Sequence, residues 1–340
     1  MINREKIIKT NQDLWPCLKQ KKIFLTGGTG FFGKSFLDLF NFLNKELKFQ
    51  SKITILTRNS DSFKSDYPEF AGLDFISFFQ GDICDFTFPE DQYDYILHFA
   101  TPANATLNQE QPQDIYNIIT KGTERVLEFA KKCQAKKILF ASSGAVYGVQ
   151  PWTTTYIEES YIANLSQTIG YGAGKHAAET MGVLAAEKNS FEFKIARCFA
   201  FIGSYLDPQG TYAIGNFVRD AVLSKNIIVL GDGRDVRSYM SADDLIVALL
   251  KILINGKNKV AYNVGSDETM TIKELATTIK SLVNPKVKVE ILGKINESVS
   301  PNRYVPNIDL LKSELKYIPS VTFSDSVLEM AKYYKKKLSK

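Results

Sequence analysis

Four glycines crowded into the stretch GGTGFFG, Gly27, Gly28, Gly30 and Gly33, constrain this chain more than any other feature. They follow the apolar run KIFLT and precede a segment in which Phe36, Leu37, Phe40, Leu43 and Leu47 recur at helical spacing, with Lys34, Asp38 and Lys45 on the other face. A strand, a glycine turn and a helix form the opening half of a crossover unit. Strand-like runs at Lys22–Thr26, Lys52–Thr57, 74–80, 94–100, 136–142 and 193–199 alternate with helical stretches, among them DIYNIITKGTERVLEFAKKC and YGAGKHAAETMGVLAAEK. That alternation predicts an α/β protein with a doubly wound parallel sheet. Beyond residue 203 the pattern loosens into a Gly/Pro-rich connection, a helix near 218–223 and mixed segments. The expected organisation is a first domain over 1–202 with parts of 235–265, and a smaller mixed C-terminal substrate-binding lobe over 203–234 and 266–340. Within that lobe Thr271 and Glu274 stand at capping-box spacing and open a helix.

Gly28, Gly30 and Gly33 also satisfy G-x-G-x-x-G between a predicted strand and a predicted helix, the context in which that pattern binds a dinucleotide. Glycine permits the tight turn and lets a pyrophosphate approach the backbone, while the helix N-terminus offers free N–H groups. The expected fold is therefore of Rossmann type with NAD(P) in its cradle. An NAD site carries an acid about 20 residues further on, at the end of the second strand. Here that strand ends in ILTRN, with Arg58 where the acid would stand. An arginine there pairs with a 2′-phosphate and favours NADP; NAD stays open, because an exposed arginine also stacks on adenine. Asp82, in GDICD, is placed to accept from the adenine amino group or simply to close a turn.

Composition narrows the field. At 340 residues and 44% apolar, the chain can bury a sizeable core, yet no apolar run approaches the roughly 20 residues of a membrane span. Its first residues carry charge throughout, unlike a secretory signal, so a soluble cytoplasmic protein is expected. Cys17, Cys84, Cys133 and Cys198 lie far apart with no Cys-x-x-Cys pair, which indicates neither a zinc site nor a disulfide framework. His98 reads as a hydrogen-bonded core residue and His176 as a residue off the catalytic face, so no metal is expected. The net charge of +5 is modest and partly sits in the tail KYYKKKLSK, read as a solvated, frayed helix end rather than a nucleic-acid patch. The aromatic runs DFISFF and CFAF read as core packing.

Farther along lie SSGAVYG and YGAGK. Tyr171 and Lys175 stand one turn apart on a predicted helix and share a face. An ammonium there, with a positive nicotinamide, favours tyrosinate over the ordinary phenol, whose pKa is about 10, and suits Tyr171 to general acid–base work. Ser143, at a strand end, is placed to hydrogen-bond the same substrate oxygen.

The motifs TGGTGFFG, GDI, HFA, SSGAVYG, YGAGK, ARCFAFIG, GDGRDVRSYMSADDL, YNVGS and PNRYVP, in that order, make the chain resemble the extended short-chain dehydrogenase/reductases, the family of nucleotide-sugar epimerases, dehydratases and reductases. The resemblance implies a catalytic triad of Ser143, Tyr171 and Lys175. It implies a cofactor held by Gly27, Gly30, Phe31, Phe32, Gly33, Arg58, Asp82, Ile83, Ala100, Tyr171 and Lys175. It also implies a nucleotide diphosphate-sugar contacted by Asn216, with Arg237 and Arg303 on its diphosphate, and a homodimer paired through the helices near 122–132 and 172–187. Two departures matter. Dehydratases of the family place an acid just after the catalytic hydroxyl, where this chain has Gly144 and Ala145; and the asparagine of the usual water and proton relay is replaced by Ile119. The reading that follows is an NADP-dependent reductase acting at C4 of a nucleotide diphospho-4-keto-(6-deoxy)hexose. A 4-epimerase uses the same residues and remains the alternative; a non-catalytic cofactor sensor is disfavoured by the intact triad.

Overall fold

Ile23 and Leu25 point to one face of the first strand and Phe24 to the other, and all three are fully buried. A strand apolar on both faces belongs inside a parallel sheet covered by helices on each side. The computed structural model describes residue 2 and residues 4–101, 105–163 and 169–339. All six strands read from the sequence form: β1 (Lys22–Thr26), β2 (Lys52–Thr57), β3 (Ile76–Gln80), β4 (Tyr95–His98), β5 (Lys137–Ser143) and β6 (Glu192–Cys198). With an edge strand, Ala261–Val264, they make one seven-stranded sheet in the order edge–β6–β5–β4–β1–β2–β3, parallel throughout. Strand order reverses between β1 and β4, and a ligand crevice opens outside the carboxyl ends of the strands at such a point. The glycine turn, Arg58, Ala100 and Ser143 all lie on that edge because each follows or ends a strand.

Each face of the sheet carries its own core. Leu25, Ile55, Leu97 and Leu139 pack with the helix Phe31–Leu47 and the strongly apolar helix Ala242–Asn255. Phe24, Ile96, Ile138 and Phe140 pack with the helices Pro112–Lys132 and Tyr171–Lys188. These last two helices lie against one another through small residues: a Cβ on Gly174 would come within 3.1 Å of Ile119 Cδ1. A third core, with Ile214, Phe217, Ile227, Leu275, Ile279, Met330 and Tyr334, gathers the helices Ala213–Val222, Ile272–Val283 and Phe323–Leu338. The expected capping box forms, Thr271 Oγ1 accepting from Glu274 N and Glu274 accepting from Thr271 N. Beside this core lies a three-stranded sheet in which Val236–Ser238 is the centre, Thr269–Thr271 its antiparallel neighbour and Arg303–Tyr304 its parallel one.

Two expectations are corrected. Lys34, assigned to the polar face of its helix, is buried; its ammonium donates to Tyr67 Oη at 2.7 Å and lies 4.1 Å from the ring centroid, because the segment after β2 folds back over it. The C-terminal tail is no frayed end: Tyr334 is buried and donates to Leu206 O at 2.8 Å, although Lys335 and Lys336 are exposed.

Candidate active site

The glycine turn is a cradle that side chains would fill. Gly27 holds a positive φ of 71°, and a Cβ there would stand 2.6 Å from Ala100 N and Phe99 C. A Cβ on Gly33 would strike Gly28 Cα at 2.3 Å, so helix and turn touch backbone to backbone. Gly30 caps the helix Phe31–Leu47 without a side chain, which leaves the first-turn N–H groups of Phe31, Phe32 and Gly33 free of intrahelical partners. A pyrophosphate fits such a cradle. Phe32 is wedged edge-on between Phe99 and Phe201, at 6.0 and 5.3 Å between centroids, and so is a packing residue that holds the turn in place. Ala100 N donates to Thr26 Oγ1 at 3.2 Å. Thr26 Oγ1 also meets His98 Nδ1 at 2.8 Å, while His98 Nε2 meets Thr123 Oγ1 at 3.2 Å. Burial, with the Lys175 charge nearby, pushes His98 down to about 3, so it is a neutral, hydrogen-bonded core residue.

Arg58 is exposed just beyond β2, and its guanidinium makes no hydrogen bond or ion pair among the described residues. Asp82 closes a turn with one carboxylate oxygen, accepting from Cys84 N at 3.0 Å. Ile83 packs on the helix beside it, 3.0 Å from where a Gly122 Cβ would be.

Ser143, Tyr171 and Lys175 converge. The end of β5 delivers Ser143, whose Oγ accepts from Ala145 N at 3.1 Å and so opens the short 3₁₀ helix Gly144–Tyr147. Burial pushes the Tyr171 phenol well above the ordinary value for tyrosine, with nearby Ser143 working against that rise. It is therefore a proton donor at neutral pH when no other charge is near. Lys175 donates to Thr101 Oγ1 and to Ala141 O, both at 2.6 Å. Burial lowers it from 10.5 to about 7. The tyrosine helix is aimed by two contacts that its own sequence does not announce. Asn108 Oδ1 accepts from Tyr171 N at 2.8 Å, standing in for the side chain that Gly170 lacks. One turn past Lys175, Glu179 takes Ser142 Oγ at 2.5 Å and is clamped by Arg197 at 3.0 and 2.7 Å.

The residues expected around the sugar do not all meet. In the small sheet Arg303 is in register with Val236, and Tyr304 with Arg237. Side chains alternate along a strand. Arg303 therefore lies on the Val236 face, opposite to Arg237, and stacks over Trp152 at 4.6 Å with Nε buried and unpartnered. It is Tyr304 that shares a face with Arg237 and reaches the end of β5, where a Cβ on Gly144 would stand 2.7 Å from its Oη. Arg303 and Tyr304 are neighbours in PNRYVP, and the register sends them to opposite faces. Asn216 sits in the first turns of the helix Ala213–Val222 with Oδ1 accepting from Arg219 at 3.0 Å. Arg237 donates to Val236 O at 2.9 Å and approaches Asp235 at 3.5 Å.

A family model described as the NAD dependent epimerase/dehydratase family matches residues 23–265. UDP-glucuronic acid decarboxylase 1 of Danio rerio is 27% identical over 322 residues, 94% of this chain and 74% of its own length. Among solved structures, UDP-N-acetylglucosamine 4-epimerase from Methanobrevibacter ruminantium, in complex with UDP-N-acetylmuramic acid, superposes with a TM-score of 0.80 at 21% identity, covering 94% of this chain and 99% of its own. A variant of UDP-glucuronic acid 4-epimerase from Bacillus cereus, solved with a UDP-sugar analogue and NAD, superposes with a TM-score of 0.78 at 20% identity, over 93% and 99%. With a glycine cradle at the switch point of a doubly wound sheet and a family model that matches from β1 through the edge strand, this chain belongs to the NAD dependent epimerase/dehydratase family.

Proposed function

We propose that the protein is an NADP-dependent oxidoreductase that reduces a nucleotide diphospho-4-keto-hexose, with a 6-deoxy sugar as the preferred case, at C4. The observation that carries this reading is the convergence of Ser143, Tyr171 and Lys175 with no acid directly after the serine: positions 144 and 145 are Gly and Ala, and the space at Gly144 is already filled by Tyr304 and Phe199. Elimination across C5 and C6 needs a second proton-moving group, whereas reduction at C4 needs one. A dinucleotide held in the glycine cradle would supply the hydride. The chain's own part is to orient the keto oxygen through Ser143, to deliver a proton to it from Tyr171, and to hold Lys175 where it biases that phenol. Gly27, Gly30, Phe31 and Gly33 would hold the pyrophosphate by backbone, Asp82 the adenine, and Arg58 the 2′-phosphate. The unpaired guanidinium of Arg58 supports NADP over NAD. Asn216 is assigned to the nucleotide-sugar and Arg237 to its diphosphate. The curated relatives are named for UDP-glucuronic acid, which makes UDP-sugars the first to test.

The test is NADPH consumption with UDP-4-keto-6-deoxyglucose, compared between the wild type and Tyr171→Phe. Loss of about 10²-fold or more in kcat with cofactor binding kept is expected; an unaltered rate in the variant would refute the role of Tyr171. The epimerase alternative rests on Tyr171 being a single hydroxyl able to take and return the same proton. Near-stoichiometric oxidised cofactor released on denaturing the purified protein would select it.

A further inference from the structure

We propose that Thr101, just beyond β4, is a positioning residue for the reaction: its hydroxyl oxygen fixes the Lys175 ammonium, keeps it charged, and ties it to the glycine cradle. The inference rests on the proposed reduction at C4 and adds to it the group that holds the lysine ready.

The Thr101 hydroxyl has a fixed direction. A hydroxyl offers one proton and two lone pairs. Thr101 Oγ1 donates its proton to Ala100 O at 2.7 Å. Toward Lys175 Nζ, 2.6 Å away, it therefore accepts. An oxygen so committed has no proton left for a substrate, which separates its task from those of Ser143 and Tyr171.

Acceptors around the ammonium are few. Lys175 is buried, with Nζ 4.7 Å from the Phe140 ring centroid and 5.7 Å from that of Tyr171. Among the described residues its two hydrogen bonds go to neutral oxygens, Thr101 Oγ1 and Ala141 O. Glu179, one turn further along the same helix, is taken by Ser142 and gripped by Arg197. Ile119, where the relay asparagine of the family would stand, is buried and offers no acceptor. Burial works against the charge, so each of the two neutral acceptors supplies a large share of what keeps it. The titratable groups that face Lys175 are Tyr171 and Glu179 on its own helix, His98 on β4 and Cys198 on β6.

The oxygen is also held from the cradle side. Ala100 N, one residue back, donates to Thr26 Oγ1 at 3.2 Å, and Thr26 Oγ1 meets His98 Nδ1 at 2.8 Å. The backbone there runs so close to the glycine turn that a Cβ on Gly27 would stand 2.6 Å from Ala100 N. Thr101 thus joins β1 and the turn on one side to the tyrosine helix on the other, and the spacing between cradle and ammonium is set through it.

Two variants test this hold. Thr101→Val keeps the shape and removes the acceptor, whereas Thr101→Ser keeps the acceptor. In the cofactor-free protein, with lysines isotope-labelled at Cε and the Lys175 NMR signal assigned through Lys175→Met, the Lys175 titration midpoint should fall by about one pH unit in Thr101→Val and stay at the wild-type value in Thr101→Ser. In turnover with UDP-4-keto-6-deoxyglucose and NADPH, the alkaline limb of the kcat–pH profile, set by loss of the ammonium, should move to lower pH in Thr101→Val. Above that limb kcat should fall by about 10-fold, with KM for the sugar little changed, and Thr101→Ser should restore both limb and rate. A threonine that merely packs would leave midpoint and limb where they are even if Thr101→Val were less stable, and this result would overturn the inference. Wild type inactive on UDP, dTDP, CDP and GDP 4-keto sugars would instead overturn the C4 reading, while a lowered midpoint, which needs no substrate, would still support the hold of Thr101 on Lys175.

Discussion

Lys175 is the residue on which function and stability pull in opposite directions. Its ammonium is buried, which lowers its pKa from 10.5 to about 7. Between those values the unfolded chain binds the proton more tightly than the folded one. The stability this group contributes is therefore complete above 10.5 and is lost as pH falls to about 7. Lys175→Met should abolish turnover and yet, below about pH 7, unfold at higher urea than the wild type, by about 2 kcal/mol once the lost bonds to Thr101 and Ala141 are counted. The advantage should shrink as pH rises toward 10.5, and a difference that stays level with pH would mean that the ammonium is not strained by burial. His98 needs no such tension, since its neutral ring satisfies Thr26 and Thr123 at once.

At the scale of elements, the tyrosine helix is the part that must be aimed. Its inner face is made of small residues that let it lie close to its neighbours: a Cβ on Gly172 would come within 2.5 Å of Ala145 O, and one on Gly182 within 2.0 Å of Phe193. Close packing sets its distance from the sheet. Its rotation is set by Glu179, which Arg197 on β6 grips with two nitrogens while Ser142 on β5 donates to it. Arg197 also donates to Tyr147 Oη at 2.9 Å, and Tyr147 in turn to Asn263 on the edge strand at 2.8 Å, so one polar chain spans β5, β6 and the edge strand. Removing one partner of a buried ion pair leaves the other charge uncompensated. Glu179→Ala should therefore cost about 3–5 kcal/mol in urea denaturation, whereas Glu179→Gln should cost less because it can still accept. Equal losses in the two variants would assign the effect to packing.

At the scale of the whole molecule, the N-terminal helix Arg4–Thr10 works as a tie. Arg4 reaches Asp38 on the glycine-turn helix at 2.7 Å and the buried Asp243 on the helix Ala242–Asn255 at 2.9 Å, with Glu329 of the C-terminal helix in its field. The tie joins segments that are remote in sequence. Arg4→Ala should destabilise the protein by about 3 kcal/mol, and adding Asp243→Asn should recover part of that loss, because the second change removes the stranded charge. Simple addition of the two losses in the double variant would show that the pair is not coupled.

What the sequence determines is local and periodic. The glycine turn, the six strands and the tyrosine helix were legible because a two- or 3.6-residue period, a glycine cluster and a capping box are properties of neighbouring residues. Tyr171 and Lys175 could be paired for the same reason, one turn being a fixed distance. The rest depends on which segments meet. Arg303 and Tyr304 are adjacent letters, but alternation along a strand sends them to opposite faces, and only the register with Val236 and Arg237 decides which one shares a face with Arg237. Lys34 sits on a polar stripe by its own period and is buried because a segment beyond β2 covers it. Glu179 finds Arg197 across the sheet, and Arg4 finds Asp243 across nearly the whole domain. Tertiary structure alone decided these, since a charged or aromatic side chain is assigned to core, tie or site by what folds against it, and that partner is not written beside it in the chain.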